Sequence, residues 1–76
     1  MAQLPVISGK QTVAALERAG YSVRKQRGSH VSLVNPGPPR RLIVVPLHKE
    51  LAPGTLRAII RQADLTVEQF CELLDR

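Results

Sequence analysis

Residues 21–33 read YSVRKQRGSHVSL, two alternating segments joined by a glycine and a serine. A period of two is typical of a β-strand with one buried face, so the first segment, Tyr21–Arg27, is predicted to be a half-buried strand. Gly28 and Ser29 predict a tight turn, because glycine adopts a positive φ without steric cost. The two faces of this strand are predicted to hold Tyr21, Val23 and Lys25 on one side and Ser22, Arg24 and Gln26 on the other.

The second strand of this predicted hairpin begins at His30. Val31 and Leu33 are predicted to face the core, which places His30, Ser32 and Val34 on the opposite face. Imidazole has an unperturbed pKa of about 6.5, so it both accepts and donates protons near neutral pH. The hairpin therefore places a proton-transfer group at its corner, directly after the basic residues of the first strand.

A third strand is predicted after a turn-rich loop. Residues 35–39 read NPGPP, and this composition ends the second strand because proline and glycine favour turns. Leu42–Val45 is an unbroken aliphatic run, typical of a central or doubly covered strand. Pro46 ends it, since proline cannot donate to the ladder. Together the three strands form an antiparallel meander.

The first of three predicted helices precedes the hairpin. Ser8 and Gln11 have the spacing of a capping box, which starts a helix at residue 9 or 10 that runs to residue 19. Gly20 is placed to end it as the left-handed residue after the C-cap. Residues 1–7 contain a proline and no periodicity, and are interpreted as a leader segment.

Two further helices follow the third strand. Pro53 suits the first turn of a helix, and the helix that it opens has an apolar stripe facing the core. Thr66 and Gln69 repeat the capping-box spacing and begin a short C-terminal helix over residues 66–75. The predicted stripes are Leu56, Ile59, Ile60 and Ala63 in the second helix and Val67, Phe70, Cys71 and Leu74 in the third.

The order of elements predicts an α+β fold for a single domain spanning residues 1–76. A three-stranded antiparallel sheet with its helices on one face is a two-layer solution of this class. The other face of the sheet stays open, and it is the face assigned to His30.

The charge distribution favours a polyanionic partner. The formal net charge is +5, and ten of the eleven Lys and Arg residues lie within residues 1–63, where Glu17 and Glu50 are the acidic residues. A basic body of this kind suits nucleic acid, with counterion release supplying affinity. The alternative is a solvated surface on a small protein.

Composition also limits the other classes of function. Tyr21 and Phe70 are the only Phe, Tyr or Trp residues, which weakens any model in which bases stack on an aromatic platform. Cys71 is alone, so no disulfide framework is expected, and it is predicted to be a buried small hydrophobe. With no secretory signal and no membrane-spanning apolar run recognised, a cytoplasmic location is expected.

The chemistry that these residues suit best is RNA cleavage. RNA supplies its own nucleophile, the 2′-hydroxyl, so a protein need only transfer protons, stabilise phosphate charge and position the chain. His30 is the candidate general acid or base, and Ser29 or the backbone amides at the Gly28 turn are candidates to hold a phosphate oxygen. The candidate RNA-binding residues are Arg24, Lys25, Arg27, Arg40 and Arg41.

Three alternatives stay open at this point. His30 is equally well a strand histidine without a role, and His48 is more simply a loop residue bonded to local backbone. The basic face also suits a non-catalytic RNA-binding module, or the chain acts mainly as a partner subunit. A metal site is not predicted, because two imidazoles with Glu50 as the one candidate third ligand form an incomplete set.

Several short motifs follow one another along the chain in a specific order. They are Ser8-Gly9-Lys10, Ala19-Gly20-Tyr21, Arg27-Gly28-Ser29-His30, Val45-Pro46-Leu47-His48 and the segment LAPGTLRAIIRQA at residues 51–63. In this order and spacing the chain resembles the HicA (YcfA-like) family of toxins from prokaryotic toxin–antitoxin modules, from residue 8 to about residue 66.

The resemblance implies a fold like the double-stranded RNA-binding domain and a metal-independent endoribonuclease, without cofactor, that cleaves mRNA and halts translation. It also implies a HicB-type antitoxin that covers the active site and contacts operator DNA through its own domain, so that no direct DNA binding is expected of this chain. The family's catalytic histidine matches His30, the glycine before the Ser-His pair matches Gly28, and the histidine of the Pro-x-His segment matches His48.

Two departures from the family pattern stand out. Asp64 stands where the family often has glycine, which is expected to change how the second helix ends. The proline-rich loop at residues 35–39 is unusual and would alter substrate approach or antitoxin contact. Neither departure touches His30.

Overall fold

A computed structural model describes residues 3–75 of the chain, and six elements follow one another along it. They are α1 (Gly9–Arg18), β1 (Ser22–Arg27), β2 (His30–Val34), β3 (Leu42–Pro46), α2 (Pro53–Gln62) and α3 (Val67–Leu74). The strands form one antiparallel sheet in the order β1-β2-β3. The predicted α+β class and the helix–sheet–helix order with a C-terminal helix are thus confirmed. Residues 1 and 2 of the predicted leader segment lie outside the described residues.

The core forms between one face of the sheet and the helices. Val31 and Leu33 of β2 point into it, as predicted, and so do Ile43 and Val45 of β3. The predicted stripe of α2 packs on the same side with all four of its residues buried. The remaining buried hydrophobic residues are Ile7, Ala15, Leu16, Tyr21, Leu51, Phe70 and Leu73.

β1 departs from its predicted alternation. All six of its residues are exposed, so the prediction of a half-buried strand is wrong. A β-bulge explains the difference: Val23 pairs with Leu33 but Lys25 pairs with Ser32, which leaves Arg24 as an extra residue. Because one inserted residue reverses the faces of all that follow, Val23 and Lys25 lie on opposite faces of the sheet rather than together.

β3 is an edge strand, and the prediction of a central or doubly covered strand is wrong. The central strand is β2. Burial alternates along β3, since Ile43 and Val45 are fully buried while Leu42 and Val44 are 56% and 46% exposed. The unbroken apolar run therefore has one face in the core and one facing solvent.

The predicted helix caps at both capping boxes are confirmed. The Ser8 hydroxyl accepts from the Gln11 amide while the Gln11 side chain accepts from the Ser8 amide, at 3.0 and 2.9 Å. Thr66 and Gln69 repeat the arrangement at the start of α3. At the end of α1, Gly20 has a φ of 102°, and its amide donates to the carbonyl oxygen of Glu17 at 3.0 Å, as expected for its predicted C′ position.

The face that α3 buries differs in part from the predicted stripe. Phe70 is fully buried and Leu73, which the prediction omitted, is buried beside it. Cys71 is partly exposed, so the prediction that it is buried is wrong. The turn around Leu73 is held against α1, because the Arg18 guanidinium donates to the Leu73 carbonyl oxygen at 2.8 Å.

α2 ends with an aspartate in the left-handed region. The φ of Asp64 is 59°, its amide donates to the Arg61 carbonyl oxygen, and the Leu65 amide donates to that of Ile60. This is the Schellman arrangement, in which the residue after the C-cap is usually glycine. The departure at Asp64 therefore places a Cβ atom at a position that favours glycine.

Replacing Asp64 with glycine is expected to raise the free energy of unfolding by up to about 1 kcal/mol, because glycine relieves the left-handed strain. The change also removes a 3.7 Å ion pair between the exposed carboxylate and Arg41, and such surface pairs contribute only about 0–1 kcal/mol. Urea denaturation measures the difference. Asp64→Ala is the matched control, since it removes the same carboxylate but keeps the Cβ atom. A glycine variant less stable than the alanine variant would contradict the explanation.

Candidate active site

The turn at residues 28 and 29 fixes the position of His30. Gly28 has a φ of 58°, a left-handed conformation that glycine adopts without strain. The chain reverses there, and His30 becomes the first residue of β2, with its side chain exposed. It pairs with Arg27 on β1 and with Pro46 on β3. The hairpin therefore presents the imidazole at the end of the central strand.

The strand register determines which side chains share the open face with His30. Residues directly opposite each other in antiparallel strands project to the same face, with Cβ atoms about 5 Å apart. Three rows cross the sheet on this face, the first at the hairpin turn and the third at the opposite end. Across β1, β2 and β3 they are Arg27, His30 and Pro46; Lys25, Ser32 and Val44; and Ser22, Val34 and Leu42.

The open face is therefore basic along β1 and apolar along β3. The structure brings two predicted RNA-binding residues, Arg27 and Lys25, onto the same face as His30. Arg24 lies in the same strand at the bulge. Arg27 is the cation in direct register with the imidazole, which suits a phosphate group held beside a proton-transfer residue.

Arg40 and Arg41 lie elsewhere. They precede β3 at the end where Val34 pairs with Leu42, four residues or about 13 Å along β2 from His30. The guanidinium of Arg41 lies 3.7 Å from the Asp64 carboxylate. The five predicted RNA-binding residues thus divide into three beside the hairpin and two at the opposite end of the sheet.

The loop that contains His48 lies against the turn that precedes His30. The Leu47 amide donates to the Ser29 carbonyl oxygen at 2.6 Å, and the Gly9 amide donates to the His48 carbonyl oxygen at 2.9 Å. These two bonds join the hairpin turn, the loop after β3 and the start of α1. Ser29 and His48, both predicted as possible catalytic support, are therefore held at the same end of the sheet as His30.

A second basic cluster lies beside this loop and was not predicted from the sequence. A surface cavity of about 360 Å³ is lined by Ser8, Lys10, Leu47, His48 and Lys49. Lys10 was interpreted as a solvated helix residue, because only the packing of α1 against the loop brings it near His48. The one local signal was Gly9, whose role depends on contacts far away in the sequence.

Gly9 allows this packing because it has no side chain. A Cβ atom at Gly9 would lie 2.0 Å from the Pro46 carbonyl oxygen and 2.9 Å from the Leu47 Cα atom. Both distances are far below van der Waals contact. The start of α1 can approach the end of β3 this closely only with glycine at this position.

Tyr21 belongs to the core, as predicted, and offers no stacking platform. It is 6% exposed, and its hydroxyl oxygen is buried without a hydrogen-bond partner within residues 3–75. Burial raises the pKa of Tyr21 above the usual value of 10; Arg41 opposes this rise in pKa and Asp64 adds to it.

The described part of the chain contains no group of three His, Cys, Asp or Glu side chains placed to hold a metal ion. Within the same part, no helix is long and apolar enough to cross a membrane.

Comparison with known proteins identifies one family. A family model described as the HicA toxin of bacterial toxin-antitoxin matches residues 9–65, most of the 76-residue chain. No curated protein matches the chain. The matched segment begins at the glycine of α1 that contacts the loop and ends directly after Asp64.

Proposed function

The chain belongs to the HicA toxin family of bacterial toxin–antitoxin systems, and we propose that it is an endoribonuclease that cleaves mRNA with His30 as its proton-transfer residue. Family membership assigns it the toxin role and an antitoxin partner. The observation that supports the finer assignment is the register of His30 with Arg27 on the open face of the sheet. An imidazole and a guanidinium side by side suit proton transfer at a phosphodiester.

The proposed reaction uses the nucleophile that RNA contains. The 2′-hydroxyl oxygen attacks the adjacent phosphorus, the bond from phosphorus to the 5′ oxygen breaks, and a 2′,3′-cyclic phosphate forms. The hydroxyl loses one proton and the leaving 5′ oxygen gains one. His30 performs one of these transfers, and His48 or Ser29 is the candidate for the other because both lie at the same end of the sheet.

Charge on the transferring phosphate is stabilised by the hairpin in this proposal. Arg27 lies across from His30 and contacts the phosphate oxygens, where guanidinium groups bind in a bidentate manner. Lys25 and Arg24 bind the flanking phosphates, which positions the scissile bond over the imidazole. Gly28 leaves the turn open, since nothing lies within 4 Å of where its Cβ would be.

The setting of this activity follows from the family. We propose that the protein acts in the cytoplasm, where it degrades mRNA and thereby inhibits translation, and that its partner is a HicB-type antitoxin. Contacts with operator DNA belong to that antitoxin. No cofactor or metal ion takes part in the proposed reaction.

The test is incubation of the purified, antitoxin-free chain with RNA in the presence of EDTA. We expect cleavage at a rate that the chelator leaves unchanged and that falls as salt rises, since phosphate contacts are screened. Products that end in cyclic phosphate would support the 2′-hydroxyl mechanism. Intact RNA with a folded protein that still binds it would favour the alternative, a non-catalytic RNA-binding module on the same basic face.

A further inference from the structure

The open sheet face has an apolar side that RNA cleavage does not use. Leu42, Val44 and Pro46 occupy alternate positions of β3 and face outward together, and we call them the β3 stripe. Leu42 is 56% and Val44 46% exposed, and Val34 of β2 lies partly buried beside Leu42. Only four large hydrophobic side chains are exposed within residues 3–75, and two of them lie here.

RNA does not account for this stripe. The phosphate backbone binds cations, and unpaired bases bind to proteins by stacking on aromatic or guanidinium planes. The stripe is aliphatic, and both Tyr21 and Phe70 are buried in the core. Exposed aliphatic side chains in a row instead suit a protein partner that removes them from water.

The charges on the same face indicate what kind of protein binds. Lys25 and Arg27 lie two strands away from the stripe, about 10 Å across the sheet. A second copy of this chain docked face to face would oppose two such basic rows, and each chain has a net charge of +5. Charge complementarity therefore favours an acidic partner that presents apolar side chains to β3 and carboxylates to β1.

We propose that the β3 stripe is the docking surface for the antitoxin, which binds it with an apolar segment flanked by acidic residues. The stripe ends at Pro46, directly across from His30, so a partner that lies along it covers the imidazole. This explanation of inhibition rests on the proposed function of His30. The binding itself rests on the stripe and on the toxin–antitoxin family alone.

The consequence is that antitoxin binding and RNA cleavage are separable by mutation. Leu42→Thr/Val44→Thr removes the apolar contacts while keeping β-branched residues in β3. Its matched control is Val23→Thr, because Val23 has the same 46% exposure as Val44 but lies on the opposite face of the sheet, across from Leu33.

The experiment is calorimetric titration of each variant with the purified antitoxin encoded alongside this chain. We expect the double variant to bind about tenfold or more weakly, as for the loss of central contacts in an interface, with RNA cleavage within about twofold of the wild type. Val23→Thr should bind as the wild type does. Thermal unfolding of each variant verifies that it is folded, and Val44→Lys provides a second variant if the double one is not.

Three outcomes would overturn the proposal. One is antitoxin binding that is unchanged in the folded double variant, or lowered equally by Val23→Thr. Another is weaker RNA cleavage with unchanged antitoxin binding, which would make the stripe an RNA contact. The third is a dimer of the isolated chain that the double variant abolishes, which would make the occupant a second copy. Because titration needs no RNA, failure of the nuclease proposal alone would leave this test intact.

Discussion

His30→Ala is expected to lower the rate of RNA cleavage by about 10²–10⁴-fold, the range typical for removal of a general acid or base. The side chain is exposed at the end of β2, so its removal changes stability by no more than about 0.5 kcal/mol. Single-turnover cleavage of a labelled RNA measures the rate, and thermal unfolding verifies that the variant is folded. Binding of an RNA that lacks the reactive 2′-hydroxyl should be nearly unchanged, because Arg27 and Lys25 remain.

The matched control is His48→Ala, which removes the same side chain from the loop beside the hairpin. If His48 only lines the cavity next to Lys10, its variant keeps most of the activity; if it is the second proton-transfer group, the loss approaches that of His30→Ala. A folded His30→Ala protein that cleaves RNA at the wild-type rate would refute the assignment. Loss of RNA binding in step with cleavage would make His30 a phosphate contact.

The elements that local sequence specifies are those that it predicted correctly. Ser8 with Gln11 and Thr66 with Gln69 form capping boxes within four residues, and Gly28 forms its turn without help from the rest of the chain. The alternation of Val31 and Leu33 likewise shows which face of β2 is buried. In each case the interacting groups are neighbours in the sequence, so the pattern contains the necessary information.

The errors arose where pairing between strands decides the outcome. The bulge at Arg24 reverses the faces of β1, but nothing in residues 22–27 marks it, because the insertion is defined only against β2. The run at residues 42–45 is apolar on both faces, so its pattern does not distinguish a central strand from an edge strand. The order of strands in the sheet makes that distinction.

The candidate site shows the same division. His30 and Arg27 could be predicted together, because one turn joins them. The segments Ser8-Gly9-Lys10 and Val45-Pro46-Leu47-His48 were recognised as family motifs without a physical reason for either. The structure supplies one: the Gly9 amide bonds to the His48 carbonyl oxygen, and the glycine is required by the approach of α1 to β3.

This contact leads to the second large effect, since Gly9→Ala is expected to destabilise the protein by about 3 kcal/mol. The added methyl group would lie 2.0 Å from the Pro46 carbonyl oxygen, and overpacking of this kind costs about 1–3 kcal/mol, occasionally more. Movement of α1 away from the loop would also break the hydrogen bond to His48, worth about 1 kcal/mol. For a domain of this size the melting temperature should fall by about 12–24 °C, measured by circular dichroism.

Gly54→Ala separates this contact from the general effect of replacing a helical glycine. Gly54 lies in the first turn of α2 with nothing within 4 Å of where its Cβ would be, so alanine there should be neutral or stabilise the helix by up to about 1 kcal/mol. If Gly9→Ala is as stable as Gly54→Ala, the close approach of α1 to β3 is wrong. Where enough Gly9→Ala protein stays folded, cleavage should also slow, because the loop that Gly9 holds is bonded through Leu47 to Ser29, the residue before His30. Stability and activity then depend on one contact, in which the start of α1 fixes the loop and the loop fixes the turn.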